Sequence, residues 1–241
     1  MERLIVALDV NTLDDARKIV EELDELVDFY KVGFQLFIRE GKDAVKFLKE
    51  QGKKVFLDLK FHDIPNTIGN AVRACMELGV DMLTLHSLGG FEMMEVAQKS
   101  VWEAQENKPL LLGVTILTSL DEAFLHDVVG VNDRTLEEEV LHLARLVKSA
   151  GLDGVVASPL EVKKIKETCG EDFVVVTPGI RPKGYDTHDQ ERVRTPEEAI
   201  LAGADYLVVG RPILYAEDRR GMAERIIKEM EEARAKLRGT F

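Results

Sequence analysis

The sequence predicts a single-domain (β/α)8 (TIM) barrel over residues 1–241, and three observations predict it. Eight short apolar runs recur along the 241 residues, each followed by a segment of helical period. Three helix-to-strand joints repeat one pattern of helix, Gly, one residue, Asp and strand, in "LGVDMLTL", "AGLDGVVA" and "AGADYLVV". No Pro/Gly/Ser-rich linker divides the chain, and its length is ordinary for one α/β barrel. The runner-up is a doubly wound open sheet. It is weakened because no GxGxxG follows the first run and no GxxxxGK precedes a Ser or Thr anywhere.

Each element has its own signals. The first run, "LIVALD" (4–9), ends on Asp9, and Thr12 then caps a helix with Asp14 and Asp15 in its first turn. Those acids suit the positive end of the helix dipole. The second run, "FYKVG" (29–33), carries Lys31 among apolar neighbours. The third, "KVFLDLK" (54–60), follows a helix closed by Gly52. Pro65 fits the first position of the next helix, which Gly79 closes before the fourth run, "MLTLHS" (82–87). The fifth, "LLLGVTIL" (110–117), leads to Thr118 and Ser119, and the sixth, "GVVAS" (154–158), follows Gly151. The seventh, "FVVVTPG" (173–179), opens the best candidate for a long functional loop, 181–194. Thr195, Pro196, Glu197 and Glu198 start another helix, Gly203 ends it, and the eighth run, "YLVVG" (206–210), meets Arg211.

Bulk charge excludes some partners. With 44 acidic against 32 basic residues the net charge is −12, which argues against nucleic acid, whose phosphates require a basic surface. A small anionic substrate remains open, because it responds to the local field of a pocket. The two cysteines, Cys75 and Cys169, lie far apart without CxxC spacing and read as free buried thiols of a reducing compartment. The apolar run in "MERLIVALDV" is too short for a signal-peptide core or a membrane span, so a cytoplasmic protein without membrane contact is expected. His62 next to Asp63 lacks a full ligand set, and His86, His126, His142 and His188 offer none; no metal site is expected.

The third run places charges where a hydrophobic strand should enter the protein. Side chains alternate along a strand, so Phe56, Asp58 and Lys60 share the face toward the barrel axis, while Val55, Leu57 and Leu59 face the helices. Asp58 and Lys60 fall near the strand's C-terminal end, where barrel active sites assemble. A bare salt bridge is a poor reason to bury such a pair. Asp9, Lys31 and Asp63 add further charges of alternating sign at the same mouth. Unit charges about 4 Å apart interact by roughly 4 kcal/mol at an effective dielectric of about 20. The array therefore amounts to a fixed field with an ammonium able to donate a proton. The loops after the seventh and eighth strands, "PGIRP" and "GRPI", each pair a glycine for close backbone approach with an arginine for an anion. That is where barrels often bind phosphate.

These residues resemble a known family. "DLKFHDIPNT" closely resembles the core motif of orotidine 5′-monophosphate decarboxylases, and the likeness runs over the whole chain through "ALDV", "KVG", "TLH", "LTS", "TPGIRP" and "VVGRPI". The resemblance implies cofactor-free decarboxylation of orotidine monophosphate to uridine monophosphate in pyrimidine biosynthesis. Lys60 then matches the residue that protonates the ring carbon losing carbon dioxide. Asp58 matches the carboxylate set against the departing one, and Lys31 the lysine bridging Asp58 and the ribose hydroxyls. Asp63 and Thr67 match residues that reach into a partner subunit's site, which implies a homodimer with shared active sites. Asp9 matches a ribose contact, and Thr118 or Ser119 the loop at the pyrimidine. Pro178, Arg181, Gln190, Gly210 and Arg211 match the phosphate side. The shorter D-x-K-x-x-D element also resembles magnesium-dependent phosphosugar decarboxylases and synthases of the same barrel type, which are the nearest alternative. A nucleotide sensor without turnover is the other alternative.

Overall fold

Strands rich in Val, Ile and Leu on both faces suit a parallel sheet covered on both sides. In the computed structural model, which describes residues 4–183, 185 and 193–239, eight such strands pair in parallel in chain order and close into a barrel. They are β1 Leu4–Ala7, β2 Phe29–Gly33, β3 Lys54–Phe61, β4 Met82–His86, β5 Leu110–Val114, β6 Gly154–Val156, β7 Val174–Thr177 and β8 Tyr206–Val209. The expected barrel is thus the one observed. The helices are α1 Leu13–Glu22, α2 Phe34–Glu40, α3 Lys42–Glu50, α4 Pro65–Glu77, α5 Phe91–Trp102, α6 Glu122–Phe124 and α7 Leu136–Ser149. After them come α8 Val162–Cys169, α9 Pro196–Leu201, α10 Arg211–Leu214 and α11 Arg219–Leu237. A short π-helical turn, Leu125–Val129, follows α6.

Two apolar layers hold the barrel. Inside it, Ile5, Phe29, Phe56, Met82, Leu112, Val176 and Val208 fill the axis. Outside it, the alternate strand residues, such as Val6, Tyr30, Val55, Leu83 and Val155, pack against the helices. The helix signals behave as their chemistry requires. The Thr12 side chain accepts from the Asp15 N–H, Pro65 occupies the first turn of α4, and Thr195 forms a capping box with Glu198. Gly52, Gly79, Gly151 and Gly203 all take positive φ, the conformation that ends a helix at least cost in glycine.

The repeated Gly-x-Asp joint has a structural purpose at the barrel's N-terminal rim. Asp81 accepts the Val55 N–H on its carboxylate at 2.8 Å and gives its own N–H to the Val55 carbonyl. Its carbonyl accepts the Leu110 N–H, so one residue joins β3, β4 and β5. Asp153 does the same for β5, β6 and β7 through Leu111 and Val174. Asp205 binds Val175 in both ways, and the buried Lys166 ammonium clamps it at 2.7 Å.

Candidate active site

The C-terminal ends of the strands carry the charges. Asp9 follows β1, Lys31 lies in β2, and Asp58 and Lys60 lie in β3. The Lys31 Nζ donates to Asp9 Oδ1 at 3.0 Å and stands 3.7 Å from Asp58 Oδ2. The Lys60 Nζ donates to Asp58 Oδ1 at 2.8 Å. Asp58 therefore has an ammonium against each oxygen. Burial pushes its carboxyl upward, but Lys31, Lys60 and the hydrogen bonds from Lys60 and Thr84 outweigh burial and hold it below the ordinary carboxylate value. The site thus keeps a buried anion between two cations.

The strand that carries this pair is not regular, which corrects the simple alternation expected from the sequence. Between Leu57 and Phe61, β3 spans four steps while its partner β4 spans two, from Leu83 to Leu85. The excess forms a bulge, and Lys60 sits in it at φ +44°. A non-glycine residue in that left-handed region costs roughly 1–3 kcal/mol, and such strain gathers at functional sites. Asp58 keeps the position that alternation gives it. Lys60 owes its direction to the bulge, and its ammonium also lies 5.7 Å from the Phe34 ring centroid.

These side chains open on a cavity of about 340 Å³ at the barrel mouth, the size of a small-molecule site. Ten of the expected residues line it: Asp9, Lys31, Asp58, Lys60, Thr118, Ser119, Pro178, Arg181, Gly210 and Arg211. The lysines enter from β2 and β3, Arg181 from the loop after β7, and Arg211 from the start of α10 just after β8. The Arg181 Nη1 donates to the Ile180 carbonyl at 2.9 Å. A bridge between Ile180 and Arg194 ties together the two ends of the expected loop. Gln190 and His188 lie outside the described residues. Asp63, on the turn from β3 into α4, and Thr67, in the first turn of α4, are exposed and do not line this cavity; the Asp63 carboxylate accepts the Ile64 N–H.

The sequence reading put Phe56 on the axis face but overlooked the rest of the cavity's apolar wall, which includes Ile116, Val156 and Val208. Alternation at the strand ends points to Val156 and Val208, which lie on the axis face; Ile116 lies beyond the end of β5. It also overlooked Thr84. His86 stacks on His62 with ring centroids 5.6 Å apart. Burial, then His62 and Lys60, lowers the His86 pKa. Its Nδ1 accepts the Leu88 N–H. Among the described residues no group of three or more His, Cys, Asp or Glu side chains is gathered as a metal site, and no helix is long and apolar enough to cross a membrane.

Comparison with known proteins identifies the family. Residues 2–226 match the family model described as Orotidine 5'-phosphate decarboxylase / HUMPS family. A curated orotidine 5'-phosphate decarboxylase of Syntrophotalea carbinolica is 53% identical over 233 residues, covering 95% of each chain. That of Moorella thermoacetica is 49% identical over 234 residues, covering 95% of this chain and 92% of the relative. Among solved structures, an orotidine 5'-phosphate decarboxylase from Lactobacillus acidophilus superposes with a TM-score of 0.82 at 41% identity. The match covers 95% of this chain and 99% of that one.

Proposed function

The chain belongs to the orotidine 5'-phosphate decarboxylase / HUMPS family and is a carboxy-lyase of it, and from that premise we propose that it converts orotidine 5'-monophosphate to uridine 5'-monophosphate and carbon dioxide, without metal or organic cofactor. The observation that carries this reading is the Asp58 carboxylate held between the Lys31 and Lys60 ammoniums in a small-molecule-sized cavity that Arg181 and Arg211 also line. Substrate phosphate goes to Arg181, Arg211 and the Gly210 backbone, with Pro178 and Gln190 beside it. The ribose meets Asp9 and Lys31, and the pyrimidine meets Thr118 and Ser119. The substrate carboxylate then lies against Asp58.

The reaction breaks the bond between the ring carbon and its carboxylate, and the electron pair stays on the ring. Lys60 places a positive charge against that developing negative charge and delivers its proton to the same carbon. Solvent then reprotonates the amine. Asp58 holds Lys60 in place, and Lys31 helps to keep Asp58 from taking the proton itself. Gripping the distant phosphate adds binding energy that the chemical step can use.

The chain works as one catalytic domain, 1–241, in a homodimer in the cytoplasm. What supports the dimer is the position of Asp63 and Thr67: exposed, outside their own cavity, with the exposed apolar Ile64 between them in the chain. The free, buried Cys75 and Cys169 suit a reducing compartment. Loss of orotidine monophosphate absorbance, followed with purified protein in excess chelator, tests the reaction. Lys60→Ala should bind uridine monophosphate but not turn over. Activity that appears only on a phosphosugar with magnesium restored would overturn the reading, as would nucleotide binding without turnover. Mixing inactive Lys60→Ala and Asp63→Ala proteins should regain activity if sites are shared; no recovery in a mixed dimer would refute the sharing.

A further inference from the structure

Thr84 sits on the axis face of β4 and is fully buried, at 0% exposure. Its hydroxyl both accepts and donates. Oγ1 accepts the Lys60 N–H at 2.9 Å and donates to Asp58 Oδ1 at 3.0 Å. Both bonds fall where the strand is irregular. The bulge removes Lys60 from the regular β3–β4 ladder, so its N–H needs another acceptor, and the threonine hydroxyl supplies it. The same oxygen reaches the carboxylate oxygen that also receives the Lys60 ammonium. One hydroxyl thus ties the backbone of Lys60 to the side chain that its own ammonium touches. Thr84 is not among the residues lining the cavity, so it acts through Asp58 and Lys60 rather than on a ligand.

We propose that Thr84 is a positioning residue for the decarboxylation, a side-chain clasp that sets the bulged backbone of Lys60 and the carboxylate plane of Asp58 in one geometry. This rests on the reaction proposed above. The clasp leaves Asp58 Oδ1 to Lys60 and Thr84, and Oδ2 to Lys31. Without the hydroxyl, the carboxylate is free to rotate about its last torsion and the Lys60 N–H loses its acceptor inside the barrel. The ammonium then no longer returns to one place relative to the reacting carbon. An ångström of misplacement at a reacting centre costs up to about a hundredfold in rate.

Thr84→Val keeps the shape and removes both hydrogen bonds, while Thr84→Ser keeps the hydroxyl. The experiment measures kcat and KM on orotidine monophosphate, together with uridine monophosphate affinity and thermal midpoint, for wild type and both variants. The expected result is a kcat about tenfold to a hundredfold lower for Thr84→Val, the range set by losing a hydrogen bond to a charged group. KM and product affinity stay within about twofold, because neither hydrogen bond touches substrate. Thr84→Ser restores kcat to within about threefold of wild type. Should Thr84→Val not fold, Thr84→Cys replaces it with the same expectations, since a thiol is a weak hydrogen-bond former of similar size. A kcat within twofold of wild type for the hydroxyl-free variant overturns the inference, as does a Thr84→Ser enzyme as slow as that variant. Wild-type protein that fails to turn over orotidine monophosphate instead refutes the reaction itself, so the two failures are distinguishable.

Discussion

Gly33, the last residue of β2, stands beside the charge array without contributing a side chain. A Cβ built there would lie 2.7 Å from the Lys31 Nζ and 3.4 Å from Asp9 Oδ1. Ordinary contact begins near 3.4 Å, so Gly33→Ala must displace the ammonium by about 0.7 Å. The backbone itself accepts alanine, because φ is −101° and ψ is −172°, an extended conformation. Lys31 now stands 3.0 Å from Asp9 and 3.7 Å from Asp58, and it cannot keep both distances after such a shift. At an effective dielectric of about 20, lengthening either contact by that amount weakens it by about 1 kcal/mol. One to two such losses correspond to roughly a five- to thirtyfold fall in kcat/KM. The thermal midpoint should change only slightly, since the reduced freedom of the unfolded chain with alanine offsets part of the weakened contacts. Steady-state kinetics with thermal unfolding on the same preparation decide it. Wild-type kcat/KM in a normally folded Gly33→Ala protein would refute the claim that the pinned Lys31 ammonium matters to turnover.

Three further outcomes follow from particular contacts. The Asp58 carboxyl is held below its ordinary 3.8 in the folded protein, so its stabilising effect is full above the unfolded value and disappears as pH falls through the folded one. The difference in thermal midpoint between wild type and Asp58→Asn should therefore be flat from about pH 8 to 5 and narrow below; a difference that widens on acidification contradicts it. Asp205→Ala leaves the buried Lys166 ammonium without its counter-charge, held only by the Glu171 and Phe173 carbonyls, and strands the Val175 N–H, and should cost on the order of 3 kcal/mol in urea unfolding. The folded fraction should keep its turnover, because the contact lies at the opposite rim, and a loss below about 1 kcal/mol would show that the clamp is not load-carrying. Gly154→Ala would put a Cβ 2.1 Å from the Val174 carbonyl oxygen of the neighbouring strand. Backbone cannot yield there, so little folded protein is expected, and normal soluble yield with a normal melting point would contradict the packing described.

The barrel was legible because buried parallel strands demand the same few aliphatic residues eight times, and helix caps leave local marks. The strand ends were less so. The run 110–117 was read as strand, whereas the ladder stops at Val114. Ile116 and Leu117 are apolar because they wall the cavity, not because they pair, and apolarity alone does not separate the two. The charges of the site could be located because Asp58 and Lys60 are costly inside a strand. The bulge could not, since it depends on how β3 meets β4, a relation between residues more than twenty positions apart. Thr84 was hidden for a different reason: threonine is an ordinary strand former, and only the two hydrogen bonds to β3 distinguish this one.

The aspartates of the N-terminal rim have a consequence for the opposite end. A closed barrel has no free edge from which to count, and a slip of one residue in any strand would turn its inward side chains outward. Asp81, Asp153 and Asp205 each accept a single N–H on a neighbouring strand, so they act as index marks that fix the count where no chemistry occurs. The mouth is thereby released from that duty. Its loops can lengthen, shorten or exchange their recognition residues from one lineage to the next, while the inward-facing positions beneath them stay in step.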